Sequence, residues 1–437
     1  MLKLTEDKLQ RKEFINNLFS MFDNFGNQGD RGFTMIINGK YGSGKTTLLG
    51  FMAELNEKEQ KYDIVNYNAW ENNLFDNPLI PILYEISKLK KKSKKAREKI
   101  KEGALKIARS LPKIFTGTLA NAHCIDLTSL TEDDVNIFEE YDQYRNSIAE
   151  FRKILIEACK EKKVLFFVDE LDRCLPEYQI KVLEAMYHLF EIPNLIVVIA
   201  LDKHQLECSI KNRFGDAQNT LGYLAKFINY QVDLPDEGKA RFIESLMSFK
   251  CSGYDSNETQ LVKQCITNLF DKMNYTVREC KRFVDEINLI CKSDDESYPL
   301  NYQYWYPILI AIIVIVKHSN EMIYKKWFYN IKETIYVNEK LKFKESPIGL
   351  FFEEVLKTNV GPVFGYFIKP DRFDGIAESF LVDFINAFCP IENLDENELV
   401  HELGININTY KQDIYYQKLS YPFSINQAIR QVKMIKA

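Results

Sequence analysis

The sequence predicts an α/β fold in which a parallel β-sheet carries helices on both faces and is followed by helical domains. Three near-continuous apolar runs, at residues 33–38, 164–168 and 195–201, have the length of strands buried on both faces. Segments with helical apolar spacing lie between them, which favours parallel strands joined by helical crossovers. A last strand is predicted at residues 227–232, and every predicted element after it is helical.

The composition bounds the class of protein. The 437-residue chain is 46% apolar and 27% charged, as expected of folded domains. Its net charge of −5 argues against nucleic-acid binding through bulk charge, so any such surface has to be local. Nine cysteines, with no C-x-x-C pair, predict reduced and mostly buried thiols in a reducing compartment. The five histidines pair with no cysteine at ligand spacing, so we expect no structural zinc site.

Two features predict a cytoplasmic protein with no membrane span. Residues 1–7 become charged at once, unlike a signal peptide. The most apolar run, residues 304–316, is too short to cross a hydrocarbon core, which needs about 20 residues. We expect this run to form a buried helix instead.

A glycine-rich segment follows the first predicted strand. Residues 39–46 fit the pattern G-x-x-x-x-G-K-[ST], and the flanking strand and helix disfavour a plain glycine turn. In such a loop the backbone N–H groups and the helix N-terminus converge on an anion. Lys45 is expected to reach the β- and γ-phosphates of a nucleotide, and the Thr46 hydroxyl to bind Mg²⁺. The residues predicted to bind nucleotide are Gly39, Tyr41, Gly42, Ser43, Gly44, Lys45, Thr46 and Thr47.

Two acidic residues end the second apolar run. Asp169 and Glu170 are placed at the carboxyl edge of the sheet, where open α/β sheets bind ligands. Asp169 is predicted to hold Mg²⁺ through water, and Glu170 to polarise an attacking water as general base. Such a pair also serves as a helix N-cap, but the phosphate loop in the same chain favours the catalytic interpretation. Loop and acids together predict a P-loop NTPase sheet.

Four further residues are weaker candidates for the site. Asp202 follows the third apolar run and is placed either to orient water and sense the γ-phosphate or to cap the next helix. Arg278, at the start of a predicted helix, is the first choice for a cation that reaches the γ-phosphate, with Arg282 behind it. Arg213 is a weaker candidate for reaching a neighbouring subunit.

A charged helical insertion is predicted at about residues 86–160. Residues 88–109 contain eleven Lys or Arg and two Glu, and residues 131–160 form a long helix with an acidic first half. The basic run is predicted to be a solvated helix or a mobile insertion. A contact with a membrane surface, a nucleic acid or an acidic partner is the alternative, although the lack of interleaved aromatic residues weakens single-strand binding. The two charged segments also suit pairing with each other.

The motifs together resemble those of the KAP family of P-loop NTPases, a branch of the additional-strand catalytic-Glu class. The resemblance spans about residues 7–290, with Tyr41 where the family usually has Trp. Besides the phosphate loop, it is carried by Asp7-x-Leu9-x-Arg11, Asn68-Ala69-Trp70, Asp169-Glu170-Leu171-Asp172-Arg173-Cys174, Ala200-x-Asp202, Tyr223-Leu224-x-Lys226 and Arg278-Glu279-x-Lys281-Arg282-Phe283.

The resemblance implies ATP hydrolysis, a helical lid, and a strand before Asp202 that lies between the phosphate-loop strand and the Asp169 strand. Many relatives carry transmembrane helices between loop and acidic strand; here that region is charged, so no span is expected. Some bacterial members are similar to anti-phage defence ATPases. The family pattern gives Asp172 and Arg173 importance, for which we expect a structural or coupling role.

We therefore expect a P-loop NTPase core at residues 1–240, a helical lid at 241–300 and a C-terminal helical domain at 301–437. The expected function is Mg²⁺-dependent ATP hydrolysis that drives a conformational or assembly switch, with a homo-oligomer and a protein effector as partners. Peripheral membrane contact through residues 88–109 stays open. An ATP-binding scaffold with negligible hydrolysis and a small-molecule kinase are the alternatives. GTP is disfavoured because the chain has no Asn-Lys-x-Asp motif.

Overall fold

The computed structural model describes residues 4, 7–25, 32–75, 77–89, 93–111, 132–215, 219–236, 238–249, 256–292, 305–319 and 322. The chain divides into two compact units, Met1–Glu237 and Gly238–Ala437. Most of the predicted C-terminal domain, residues 301–437, lies outside the described residues. The predicted division of the second unit into lid and C-terminal domain stays a prediction.

The first unit is built on a five-stranded parallel sheet, which confirms the predicted fold class. In chain order its strands are β1 (Phe33–Asn38), β2 (Asp63–Asn68), β3 (Val164–Asp169), β4 (Leu195–Leu201) and β5 (Tyr230–Asp233). Their order across the sheet is β2-β3-β4-β1-β5, and every neighbouring pair is parallel. Strand β4, which precedes Asp202, therefore lies between β1 and β3, as the resemblance implied.

Nine helices of the described part of the first unit surround this sheet. They are α1 (Lys12–Phe25), α2 (Lys45–Glu59), α3 (Ala69–Asn72), α4 (Leu79–Ser87), α5 (Lys94–Ser110), α6 (Glu132–Glu161), α7 (Pro176–Phe190), α8 (Lys203–Phe214) and α9 (Thr220–Leu224). A short 3-10 helix, Leu171–Arg173, follows β3.

Helices cover both faces of the sheet because strand residues alternate between two cores. In β1, Met35 and Ile37 pack with apolar residues of α1 and α2, whereas Ile36 packs with the core formed by α4 to α9. The same alternation holds along β3 and β4, whose residues are nearly all buried. Because both faces of these strands are buried, their sequences are nearly continuous runs of apolar residues.

In the described residues of the charged insertion, helix α5 packs against α6. Helix α5 buries one stripe formed by Ile100, Gly103, Ala104 and Ile107, as an amphipathic helix does. Gly103 allows a close approach to α6, because a Cβ at that position would lie 2.8 Å from Cδ2 of Phe151. The basic residues of α5 thus lie on its exposed face. Lys106 also forms an ion pair with Glu150 of α6, in line with pairing between the two charged segments.

The described part of the second unit is helical. It contains α10 (Lys239–Leu246), α11 (Ser256–Lys272), α12 (Val277–Lys292) and α13 (Trp305–Ser319). Residues 310–316 of α13 are all buried, which confirms the predicted core helix. Within the described ranges, no helix combines the length and apolar content needed to cross a membrane.

Four of the described cysteines, Cys159, Cys174, Cys265 and Cys280, are buried. Burial raises the pKa of the Cys174 thiol to about 12 and that of Cys265 to about 11. These groups are therefore protonated at neutral pH and pack as apolar side chains, as the composition predicted.

Candidate nucleotide-binding site

Polar residues gather at the carboxyl edge of the sheet, where each buried strand ends. In the strand register Asn68 of β2 lies opposite Asp169 of β3, and Asp169 lies opposite Ala200 of β4. Asn38, the last residue of β1, lies opposite Leu201 of β4. Only one strand therefore separates the loop after β1 from the acidic residues after β3. The two predicted halves of the site share one edge.

The backbone of the loop at residues 39–46 requires its glycines. Gly42 and Gly44 have φ angles of 85° and 91°, in a region that residues with a Cβ rarely adopt. At Gly39, an added Cβ would lie 2.7 Å from Oγ of Ser43, so the loop folds back closely on itself. Helix α2 begins directly at Lys45. Its first N–H groups have no partner within the helix, and its dipole favours an anion at this end.

Lys45 is buried, and its side chain packs against the loop that precedes it. Its ammonium group donates to the carbonyl oxygens of Gly39 at 2.7 Å and Lys40 at 3.2 Å. A carboxylate oxygen of Asp172 lies 3.6 Å from Lys45 Nζ, and both side chains are less than one tenth exposed. Asp172 thus supplies the negative charge that balances the buried lysine. The same carboxylate accepts a hydrogen bond from the backbone N–H of Asp202 at 2.8 Å.

The two residues predicted to bind metal lie near each other. The backbone N–H of Glu170 donates to Oδ1 of Asp169 at 2.9 Å. Burial raises the pKa of Asp169, and the negative charges of Glu170 and Asp172 add to this, while the nearby Thr46 side chain and the Glu170 N–H oppose it. The loop and the segment after the acidic strand meet where Lys45 pairs with Asp172.

Glu170 is held in an unusual backbone conformation by its neighbours. Its φ angle is 60°, in the left-handed region, which costs a non-glycine residue roughly 1–2 kcal/mol. Its Oε1 lies 2.9 Å from Nη2 of Arg173, and its Oε2 accepts from Nδ2 of Asn68 at 3.4 Å. The Arg173 guanidinium also lies 4.9 Å from the centre of the exposed Tyr41 ring in the loop. Arg173 therefore links the predicted base to the phosphate loop.

The structure shows a capping function for Asp202. Its side chain caps α8 by accepting from the backbone N–H of His204 at 3.1 Å. This is the alternative that the sequence had left open, and the catalytic role stays a prediction. Arg213 is exposed and pairs with Glu177 at 3.6 Å.

The two arginines proposed for the γ-phosphate lie in the second unit. Both Arg278 and Arg282 belong to α12. Nη2 of Arg282 lies 3.2 Å from Nδ1 of His318, whose Nε2 lies 3.0 Å from Glu286. Their predicted roles toward the nucleotide remain predictions. Thr47, also assigned to the nucleotide, is half-buried in the first turn of α2.

Three residues at the site had no specific role predicted from their positions in the sequence. Asn68 and Arg173 contact Glu170, and Asp172 lies beside Lys45. All three lie within the motifs that carry the family resemblance, which was the available signal. Their partners depend on the strand order and on side-chain directions at the sheet edge, which spacing along the chain does not give.

The residues present fit a Mg²⁺–nucleotide complex. The glycines and the start of α2 form a cradle for phosphate that has no room for a Cβ at Gly39 or Gly44. Thr46 and Asp169 offer one hydroxyl and one buried carboxylate side by side. Magnesium is usually bound through one or two carboxylates together with substrate phosphates and water, so this small set of oxygen ligands suits it.

Comparison with known proteins decides the family. Residues 11–293, well over half of the chain, match the model of the KAP family P-loop domain. The chain belongs to the KAP family. Membership of this P-loop NTPase family implies nucleotide binding, in agreement with the loop geometry. No curated protein matches the sequence significantly.

Solved structures add little to this KAP assignment. A crystal structure of a DNA replication initiation factor shares 11% identity at a TM-score of 0.32, covering 97% of this chain and 94% of that chain. A Walker-type ATPase of Pyrococcus abyssi shares 12% identity at a TM-score of 0.30, covering 74% of this chain and 78% of that chain. These similarities are too low to carry a functional argument.

Proposed function

We infer that this KAP protein is a Mg²⁺-dependent ATPase whose nucleotide site lies at the carboxyl edge of the sheet. The observation that carries the proposal is the buried ion pair between Lys45 of the loop and Asp172 of the segment that follows the acidic strand, at 3.6 Å. A glycine-rich turn or a helix cap alone would not require this contact. It puts a phosphate cradle and a pair of carboxylates in one place, as NTP hydrolysis requires.

The loop would bind the phosphates of ATP. The backbone N–H groups at the start of α2 face the phosphate oxygens, and Lys45 moves its ammonium from the carbonyl oxygens of Gly39 and Lys40 toward the β- and γ-phosphates. Thr46 and Asp169 would hold Mg²⁺, which supplies neutralisation of the charge on the phosphate oxygens. Asp172 lies beside Lys45 and balances its positive charge.

Glu170 would act as the general base for water. Its carboxylate follows Asp169 directly and is contacted by Arg173 and Asn68, so its position is set from two sides. In hydrolysis it would accept a proton from the attacking water as the water oxygen bonds to the γ-phosphorus, while the bond from that phosphorus to the β,γ-bridging oxygen breaks and ADP leaves with the electron pair. Asp202 could still orient that water while it caps α8. Arg278 and Arg282 are proposed to balance the charge that develops on the transferred group.

We propose further that hydrolysis drives a conformational or assembly switch. The helix that carries Arg278 and Arg282 would respond to the γ-phosphate, and a homo-oligomer with a protein effector would transmit the change. Mass measurement in solution with and without ATP and Mg²⁺ tests the assembly. A role in anti-phage defence rests on the family resemblance alone. Phage challenge of cells that express the wild type or Lys45→Ala tests that role.

Two other functions make different predictions. A small-molecule kinase would release little phosphate without an added acceptor, and a glutamate placed to activate water argues against it. A scaffold that binds ATP without useful hydrolysis would keep its biological activity in Glu170→Gln and lose it in Lys45→Ala. Phosphate release without acceptor, measured beside biological activity in the two variants, separates the three functions.

The direct test of the site is ATP binding by two loop variants. Lys45→Ala should abolish ATP binding in calorimetry, because it removes the loop cation nearest the expected phosphates. Lys40→Ala is the matched control, because this lysine is exposed in the same loop and contributes only a backbone carbonyl to the contacts of Lys45. Unchanged affinity in Lys45→Ala, with normal affinity in the control, would overturn the proposed site.

A further inference from the structure

A buried arginine from the N-terminal segment lies behind the phosphate loop. Arg11 is 2% exposed, although it is charged and precedes the first helix. Its Nη1 donates to the carbonyl oxygen of Gly44 at 2.7 Å, and its Nη2 donates to that of Ser43 at 2.5 Å. The planar guanidinium thus binds two consecutive carbonyl groups of the loop. A Cβ on Gly44 would lie 2.8 Å from Nη1, so glycine is needed for this contact as well.

The peptide geometry connects these contacts to the opposite side of the loop. The C=O of Ser43 belongs to the same planar peptide as the N–H of Gly44, and the C=O of Gly44 to the same peptide as the N–H of Lys45. No described peptide is cis, so each N–H points away from its C=O. Fixing the two carbonyls on the Arg11 side therefore directs the two N–H groups toward the opposite side, where phosphate is expected.

We propose that Arg11 is a positioning residue for the phosphate loop, which holds the Ser43 and Gly44 carbonyls outward and so aims the Gly44 and Lys45 N–H groups at the phosphates of the nucleotide. The inference rests on the proposed nucleotide site. The charge of Arg11 also adds positive potential behind the loop, without touching the ligand.

The surroundings of Arg11 keep it in place and charged. The Asp7 carboxylate accepts from the backbone N–H groups of Arg11 at 2.6 Å and of Leu9 at 3.1 Å, which fixes the segment before α1. Burial lowers the pKa of Arg11 to about 10, while the negative charges of Asp7 and Asp236 oppose this. At neutral pH the side chain is therefore cationic and able to donate from both nitrogens.

The chain provides a matched control for the loss of such a contact. Arg152 of α6 also donates to two backbone carbonyls, those of His188 at 2.6 Å and Glu191 at 2.9 Å. Arg11→Met and Arg152→Met each remove one guanidinium group that donates to two backbone carbonyl groups. Only Arg11→Met removes a contact to the phosphate loop. If the lost contact acts only through stability, both variants should lose nucleotide affinity; if Arg11 positions the loop, only Arg11→Met should lose it.

The experiment compares ATP and ADP binding by the wild type, Arg11→Met, Arg11→Lys and Arg152→Met in calorimetry, with melting temperature as the fold control. Arg11→Met should raise the Kd of both nucleotides by about tenfold or more, since two charge-assisted hydrogen bonds that shape the loop are lost. Arg11→Lys keeps the positive charge but cannot donate to both carbonyl groups from one planar group, so it should give an intermediate Kd. Arg152→Met should leave the Kd within about twofold, since distant sites act independently.

Hydrogen exchange across residues 39–46 supplies a readout that does not depend on turnover. ADP should protect this segment in the wild type and in Arg152→Met, and much less in Arg11→Met. Wild-type binding in a folded Arg11→Met would overturn the inference, and if that variant does not fold, an unchanged Kd in Arg11→Lys would overturn it. Absence of nucleotide binding by the wild type would instead contradict the proposed function.

Discussion

The Arg173 guanidinium lies 2.9 Å from the carboxylate of Glu170 and 4.9 Å from the centre of the Tyr41 ring. One side chain thus contacts both the proposed general base and the phosphate loop. The pair is only partly exposed, with 31% of the arginine side chain and 18% of the glutamate side chain accessible. Arg173 therefore has the geometry to hold Glu170 in line with the loop.

Arg173→Ala should lower turnover while ATP binding changes little. Glu170 would keep only its long contact to Asn68, so its carboxylate would spend less time in the reactive position. We expect kcat to fall by about tenfold, which corresponds to about 1.4 kcal/mol in the barrier. Arg145→Ala, which removes a similar arginine–tyrosine contact with Tyr141, is the control and should leave kcat unchanged. A kcat equal to that of the control would contradict the positioning of Glu170 by Arg173.

Asp169→Asn should stabilise the nucleotide-free protein at neutral pH while abolishing hydrolysis. Burial raises the pKa of Asp169, so its ionised form is less favourable in the folded than in the unfolded chain. The wild type therefore gains stability as the pH falls through this raised pKa toward the ordinary value of 3.8. Urea unfolding should show a higher midpoint for Asp169→Asn at pH 7, with the difference vanishing below pH 3.8.

Asp23 has a lowered pKa, so replacing it with Asn should have the opposite effect on urea unfolding. Burial alone would raise its pKa, but hydrogen bonds from Lys61 and Tyr62 outweigh burial and lower it. Its ionised form therefore stabilises the fold above the ordinary pKa, and that contribution is lost as the pH falls through the lowered value. Asp23→Asn should thus destabilise the protein at pH 7. A lower midpoint for both variants would contradict the account of Asp169.

Gly103→Ala should destabilise the protein although alanine is the better helix former. Helix propensity alone favours the substitution by about 1 kcal/mol. The new Cβ would lie 2.8 Å from Cδ2 of Phe151 and 3.1 Å from Cδ1 of Ile154, so α5 and α6 would have to separate. Overpacking of this kind costs about 1–3 kcal/mol, so a net loss is expected in urea unfolding. Lys99→Ala, on the exposed side of α5, is the control, and a gain in both variants would show that the helices do not pack closely.

The buried strands were predictable because their environment imposes a simple pattern. Strand β4 has the predicted bounds, Leu195–Leu201, and β3 ends at the predicted Asp169. Both lie inside the sheet with helices on each face, so almost all of their residues are apolar. The edge strand β5 begins at Tyr230 rather than at the predicted residue 227, because the N–H of Ile228 bonds back to Leu224 in the turn after α9.

The first residue of a helix depends on the residues of its first turn, which the spacing of apolar residues does not show. Helix α7 begins at Pro176, and proline suits the first turn because its missing N–H would have no partner there. Helix α2 begins at Lys45, inside the glycine-rich segment. The first turn of α2 therefore carries Lys45 and Thr46 themselves, which brings them to the helix N-terminus.

The site could be predicted as a set of motifs but not as a set of contacts. The loop and Asp169 were identified because each follows a strand at the same edge of the sheet. The roles of Arg11, Asp172 and Arg173 depend on contacts between segments distant in sequence or on backbone conformation, such as the left-handed Glu170 that precedes Asp172 and Arg173. The spacing of motifs along the sequence predicts neither contacts between distant segments nor the backbone conformation of single residues.

The most direct test of the ATPase assignment is the turnover of Glu170→Gln measured beside its ATP affinity. The amide keeps the size of the side chain but cannot accept a proton from water. Phosphate release should fall by at least about 10²-fold while the Kd for ATP in the presence of Mg²⁺ stays within about threefold of the wild type. Turnover equal to that of the wild type would contradict the assignment of Glu170 as the base and, with it, the proposed chemistry of the site.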